Sequence, residues 1–366
     1  MIKETNNMSA IWLGGLGLAS AMVLLSAVGT STADAAVALD ADGKVKMFGD
    51  MRFRAEADNS TKQDGTDRDR NRLRLRARLG VSFTPNDIWS GRIRLSTGST
   101  QGSPHETMQT VNDVTEGGNV PSTDFIGLDT ALIAYKGVEN LTLVVGKTPL
   151  NFWQTAEIWW DKDDNPEALA AVYQAGPVTL NGAYAIIKEG GWGNDWSALL
   201  YQAVLNNGFA NGMKYTLAAG GASLTAEDSA GNDAFNSMSH WIVSGQLKSS
   251  AWQTAFDYVQ GDADEENTAY VVQVRYQATD TIGLRAYFYH VETYATLGDG
   301  LFTQDNFPSA QPSADNFEGY RLQLDYKIAN NTNLDIRYFD SEIITKGIDN
   351  QDSKRSRIQL NLNVKF

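Results

Sequence analysis

The sequence predicts an all-β protein: a transmembrane antiparallel up-and-down β-barrel of about sixteen strands, following an N-terminal export signal. Three observations carry this. Segments of about ten residues with polar–apolar alternation recur along the chain, the length a tilted strand needs to cross a bilayer. The connections between them alternate short and long. An uncharged apolar run near the N-terminus leads into a cleavage pattern.

That run is AIWLGGLGLASAMVLLSAV, from Ala10 to Val28, and the Ala33-Asp34-Ala35 triplet downstream is small-x-small. Residues 1–35 are therefore read as a secretory signal peptide cut after Ala35, and 36–366 as the barrel. The basic start is weak, with Lys3 offset by Glu4, and the run is nearly long enough for an uncleaved anchor.

The available chemistry is narrow. The 366 residues include no Cys and three His, His105, His240 and His290, without metal-type spacing. Disulfides, thiol catalysis and thiolate metal sites are excluded, and neither a metal nor a cofactor is expected. A formal net charge of −14 argues against nucleic acid or an anionic membrane surface as the main partner.

The strand segments follow in order. VKMFGDMRFRAEA sets Val45, Met47, Met51, Phe53 and Ala55 against Lys46, Asp50, Arg52, Arg54 and Glu56. In RDRNRLRLRARLGVSF, Arg72, Arg74, Arg76 and Arg78 alternate with Leu73, Leu75, Ala77 and Leu79. SGRIRLST repeats the theme with Arg92 and Arg94 against Ile93 and Leu95. ALIAY and LTLVVGK are apolar on both faces, so facing within 125–148 stays open. AYVVQVRYQ and GYRLQLDYKI alternate again, and RIQLNLNVKF closes the chain on Phe366, the end of an apolar strand face. Period-two alternation throughout, with no competing amphipathic helix, makes the mature chain all-β.

Short polar turns fall at 84–87, 136–140, 175–177, 206–211, 249–250, 278–281 and 329–332. Longer links fall at 58–70, 99–123, 149–167, 188–196, 224–237, 261–267, 294–315 and 345–353. Seven turns and eight links give fifteen connections and hence sixteen strands. Strict short–long alternation is what an up-and-down barrel with two different ends produces. Phe83, Trp89, Tyr135, Tyr173, Trp252, Tyr276 and Tyr326 sit beside short turns, the expected girdle at one membrane–water boundary.

No water reaches the hydrocarbon layer, so the apolar rows must face lipid and the arginines the lumen. Arg52 and Arg54, Arg72 to Arg78, and Arg92 and Arg94 then form a basic ladder across three neighbouring strands. Eight like charges repel unless water and carboxylates screen them. The link 149–167 offers Glu157, Asp161, Asp163, Asp164 and Glu167; the plain alternative is a solvated external loop whose acids pair with Lys162.

The arrangement resembles Gram-negative porins. GDMRFRAEADN followed by DRDRNRLRLRARLGVSF looks like the opening hairpin of the family usually called putative porins, and GKTPLNFWQTAEIWWDKDDNPEALA is similar to its later acidic, aromatic signature. The specific match runs from Gly49 to about Ala170. It implies a homotrimeric channel in the bacterial outer membrane, passing small hydrophilic solutes and ions without catalysis, with lipid and the barrel-assembly machinery as partners. It also implies that the link 149–167 folds into the lumen, its acids facing the basic wall across a constriction. The terminal Phe366 resembles the assembly signal of outer-membrane barrels.

Two other classes compete. An outer-membrane barrel enzyme of lipase or protease type needs a nucleophile–His pair, and His240 and His290 sit mid-strand in SHWIV and YFYHV. A soluble propeller needs four strands in about 40–45 residues, where this chain fits about two.

Overall fold

The computed structural model describes residues 36–61, 65–98, 106–111, 126–188, 195–225, 238–296, 315–345 and 353–366. The expected signal peptide lies outside them. The strands are β1 (Val37–Ala38), β2 (Val45–Thr61), β3 (Asp67–Phe83), β4 (Trp89–Thr97), β5 (Glu106–Val111), β6 (Ile126–Val138), β7 (Leu141–Lys147), β8 (Glu167–Ala175) and β9 (Val178–Lys188). They continue as β10 (Trp196–Gly208), β11 (Lys214–Thr225), β12 (Met238–Lys248), β13 (Trp252–Gly261), β14 (Thr268–Gln277), β15 (Ile282–Val291), β16 (Phe317–Ala329), β17 (Thr332–Ile343) and β18 (Lys354–Lys365).

Sixteen of these, all but β1 and β5, form a closed antiparallel ring in which each strand pairs with its neighbours in sequence. The ring closes between β18 and β2, from Lys354 opposite Thr61 to Lys365 opposite Asp50. Closure leaves the sheet no free edge, the condition for putting strands into lipid. The two extra pieces extend existing lines. β1 pairs with β2 at Met47 and Lys46, beyond the end of β18. β5 pairs with β3 at 71–75, where the β4 pairing at 78–83 has run out. The expected loop 99–123 is thus interrupted by a strand; its remaining residues lie outside the described ones.

The exposed side chains alternate with buried ones as the sequence requires. Phe53, Leu73, Leu79, Ile93 and Leu95 lie on the exposed outer face, while Arg54, Arg74 and Arg76 are buried on the inner one. The turn-end aromatics pair on the outer face, with ring centroids 4.9 Å apart for Trp89–Tyr135 and 4.3 Å for Trp252–Tyr276. A second belt lies toward the long links: Trp241 with Tyr258, Tyr270 with Phe288, Tyr320 with Tyr338. Two aromatic belts bounding an apolar band are what both faces of a bilayer ask for.

The interior has two unlike halves, which settles the ambiguous 125–148 stretch. Ile133 and Val145 face outward, whereas Leu132, Ala134 and Val144 are buried inside. Inward residues of β8 to β11 are likewise small or aliphatic: Ala168, Ala170, Ala183, Ala185, Ala198, Leu200 and Ala222. They pack against Leu150, Phe152, Ile158, Trp159 and Trp160 of the segment between β7 and β8. Those strands are apolar on both faces because lipid meets one and that segment the other.

Candidate functional site

The opposite side of the interior, from β17 and β18 through β2 to β4 with the arginines of β14 to β16 beside them, is charged, although Val271, Tyr289 and Phe317 of β14 to β16 still belong to the apolar cluster. Register explains how its arginines coexist. Arg52 lies directly opposite Arg76 and Arg54 opposite Arg74, pairings that repel on their own. The same two strands place Glu56 opposite Arg72 and Asp50 opposite Arg78. Carboxylates on β2 therefore supply counter-charge every few residues, so the ladder forms tiers.

Nearest the long links, Asp58 takes three arginines: Arg70 at 3.2 Å, Arg355 at 2.7 Å and Arg357 at 3.1 Å. One step down, Glu56 accepts from Arg72 Nε at 3.0 Å and from Gln359 at 2.9 Å. Toward the turns, Asp50 accepts from Arg76 at 3.0 Å and Arg78 at 2.8 Å. Arg94 pairs with Asp129, which a bulge in β6 turns inward. Arg92 lies over the Phe48 ring at 4.0 Å. Arg52 and Arg54 donate to Asn363 and Asn361, each at 2.6 Å.

The segment 148–166 reaches this wall from the apolar side. Gln202 of β10 grips Trp153 at both backbone groups, accepting from its N–H at 2.7 Å and donating to its carbonyl at 2.6 Å. The fully buried carboxylate of Asp257, on β13, accepts from Thr155 N–H at 2.9 Å, Thr155 Oγ1 at 2.8 Å and Ala156 N–H at 2.6 Å. Gln273 of β14 donates to the Thr155 carbonyl at 2.9 Å. The irregular backbone thus finds partners on strand side chains, as buried polar groups must. Past the two tryptophans, Asp163 accepts from Arg78 at 3.0 Å and from Arg76 at 3.3 Å, and Asn165 donates to Asp129 at 2.9 Å.

The expected acids separate here. Asp163 meets the ladder. Glu157 instead pairs with Lys162 at 3.5 Å, and the Asp161 carboxylate accepts from the Asp163 N–H at 2.8 Å. Burial and the neighbouring Asp163, Glu157 and Asp164 push the Asp161 carboxyl well up from its ordinary range. Burial and Asp163 likewise push Asp164 up to about 7, against the pull of Lys147. Glu167 does not belong to the segment at all. It opens β8 opposite Lys147 and is exposed, because strand pairing has begun and its alternation points outward. The counter-charges expected from this link come chiefly from β2.

Sequence reading missed the carboxylate partners on β2, the anchors Gln202, Asp257 and Gln273, and the arginines of β15 to β18. The alternation already placed Asp50 and Glu56 on the arginine face; what was missing was the register that pairs them. His290 stacks on Tyr270 and meets Glu318 at 2.9 Å on the outer face, while His240 is buried inside. Among the described residues neither imidazole is hydrogen-bonded to a serine or threonine hydroxyl. At the seam, Phe366 exchanges backbone hydrogen bonds with Gly49, at 2.7 and 3.0 Å. Its ring covers that glycine, where a Cβ would stand 2.6 Å from it.

A closed sixteen-stranded ring, greasy and aromatic-belted outside and charged within, defines a bacterial outer-membrane β-barrel. The family model described as Putative porin matches residues 38–257, and the chain belongs to that family. Its fold is similar to that of Pseudomonas putida OprB, with a TM-score of 0.59 at 15% identity over 89% of this chain and 95% of that one. A triple mutant of Rhodopseudomonas blastica porin gives 0.53 at 14%, covering 88% and 100%. Vibrio cholerae OmpT, in a trimer form, gives 0.52 at 13%, covering 91% and 100%. Comparison with curated proteins by sequence gives no match. Family and fold point to a porin channel rather than an enzyme.

Proposed function

We propose that the protein is a passive diffusion channel for small hydrophilic solutes and ions, in which an arginine-lined wall faces an acidic constriction segment. The observation that carries this is Asp163, held within 3.0–3.3 Å of Arg78 and Arg76 by a segment anchored on the far wall. Fixed charges of both signs around one aperture set a transverse field that favours polar, orientable solutes over apolar ones. The lumen-facing roles of Arg52, Arg54, Arg72, Arg74, Arg92 and Arg94 rest on the same alternation. We further propose a homotrimer, which the trimer form of the Vibrio protein and the porin resemblance support. Phe366, seated on the β2 seam, serves as the signal read by the assembly machinery. Purified protein in planar bilayers is expected to give stepwise KCl conductance, and in liposomes to admit small sugars. Bilayers that stay silent and liposomes that stay sugar-tight would refute the channel.

A further inference from the structure

Toward the short-turn end, beside the arginines that hold Asp163, the charged wall lines a partly open polar cavity of about 240 Å³. That is room for several waters, or for one small organic solute. Arg52, Arg76, Arg78, Arg285, Arg337 and Lys365 line it. The carboxylates among its lining residues are three, Asp50, Asp325 and Asp335. Six cations against these three carboxylates and Asp163, which pairs with Arg76 and Arg78, still leave the cavity positive, whereas the chain as a whole carries −14.

The choice of cation is informative. Five of the six are guanidiniums, whose planar fork matches two oxygens of a carboxylate or phosphate, a geometry that neither ammonium nor a monatomic anion shares. They are also held in place. Arg285 donates through Nε to Asp325 at 2.7 Å, and Arg337 through Nε to Asp335 at 2.6 Å. Asp335 is itself braced by Asn361 and Asn363 at 2.8 and 2.9 Å. Side chains fixed before a ligand arrives lose little freedom when it binds.

We propose that this cavity is a binding subsite for small organic oxyanions, carboxylates or phosphates, on the channel's path. The inference rests on the channel reading and adds a substrate class to it. Arg52, Arg76 and Arg78 flank the cavity from β2 and β3, Arg285 and Arg337 from β15 and β17. A solute bearing two anionic groups meets a fork on each side.

The test is block of KCl current through single reconstituted channels by succinate or inorganic phosphate, against chloride at equal ionic strength and against glucose. Succinate block without phosphate block assigns carboxylates, the reverse assigns phosphates, and both together assign the shared chemistry. R285K keeps the charge and loses the fork; it is expected to raise the half-blocking concentration about fivefold, and R285Q/R337Q tenfold or more, as expected for losing charge-assisted bonds. R285K and R285Q/R337Q should migrate as folded bands on unheated gels like the parent, which separates a lost subsite from a misfolded barrel. Equal effects of succinate, phosphate and added chloride, or parent-like block in R285Q/R337Q, would overturn the subsite while leaving the channel intact. A protein that conducts nothing in KCl would instead overturn the channel reading and the subsite with it.

Discussion

At the scale of single residues, Asp164 couples the segment to pH. Its folded value of about 7 lies above the ordinary 3.8, so between those values the folded chain holds a proton that the unfolded chain has released. Its contribution to stability therefore falls as pH rises through that window, and above about pH 7 the segment carries one more negative charge. Raising the pH from about 6 to 8 is expected to move the reversal potential in a KCl gradient toward cations, and Asp164→Asn to remove most of that movement. A pH response unchanged in the mutant would assign the titration elsewhere. On the outer face, Leu79→Arg puts a guanidinium toward the apolar band, at a cost of about 2–4 kcal/mol near the bilayer midplane. Arg92→Gln, on the inner face of the next strand, should cost well under half of that, because lumen substitutions are tolerated. Urea unfolding from lipid vesicles measures both; equal losses would reverse the inside–outside assignment.

At the scale of elements, the segment 148–166 depends on three side chains from strands far apart in sequence. Asp257→Ala deprives the Thr155 and Ala156 N–H groups of their acceptor, a loss of about 1–3 kcal/mol for each buried group left unpaired. The expected outcome is larger, noisier single-channel conductance from a barrel that still migrates as a folded band on unheated gels. Parent-like steps would mean that Gln202 and Gln273 suffice. The strands themselves were legible because period-two alternation and turn residues are local signals. β3 could be read from Arg72, Arg74, Arg76 and Arg78 alone. The path of the segment was not legible, since nothing near Asp257, Gln202 or Gln273 marks them as partners of Trp153 or Thr155. Apolar rows on both faces of β6 and β7 hid the inward side for the same reason. At the closing strand, removing Phe366 takes away the ring over Gly49 and two backbone hydrogen bonds of the seam. Outer-membrane levels of the truncated chain should fall steeply while export continues; normal levels would end the assembly role.

At the scale of the whole molecule, the two halves of the interior divide the work. The apolar half fixes the segment by packing Phe152, Trp159 and Trp160, while the charged half meets it at Asp163. The strand count and the alternation of turns and links were readable because membrane thickness fixes strand length, and closure forbids an odd strand out in an up-and-down ring whose ends meet antiparallel. The charge balance inside was only half readable, since a sequence shows which residues share a face but not which lie opposite. Whether the arginines face the lumen is the claim on which the rest depends, and the reversal potential of Arg76→Ser/Arg78→Ser against the parent tests it most directly. In matched KCl gradients at about 0.1 M the variant is expected to shift toward cation preference. The shift should shrink near 1 M, as the screening length falls from about 10 Å to about 3 Å. An unchanged reversal potential at low salt, from a folded and conducting variant, would contradict it.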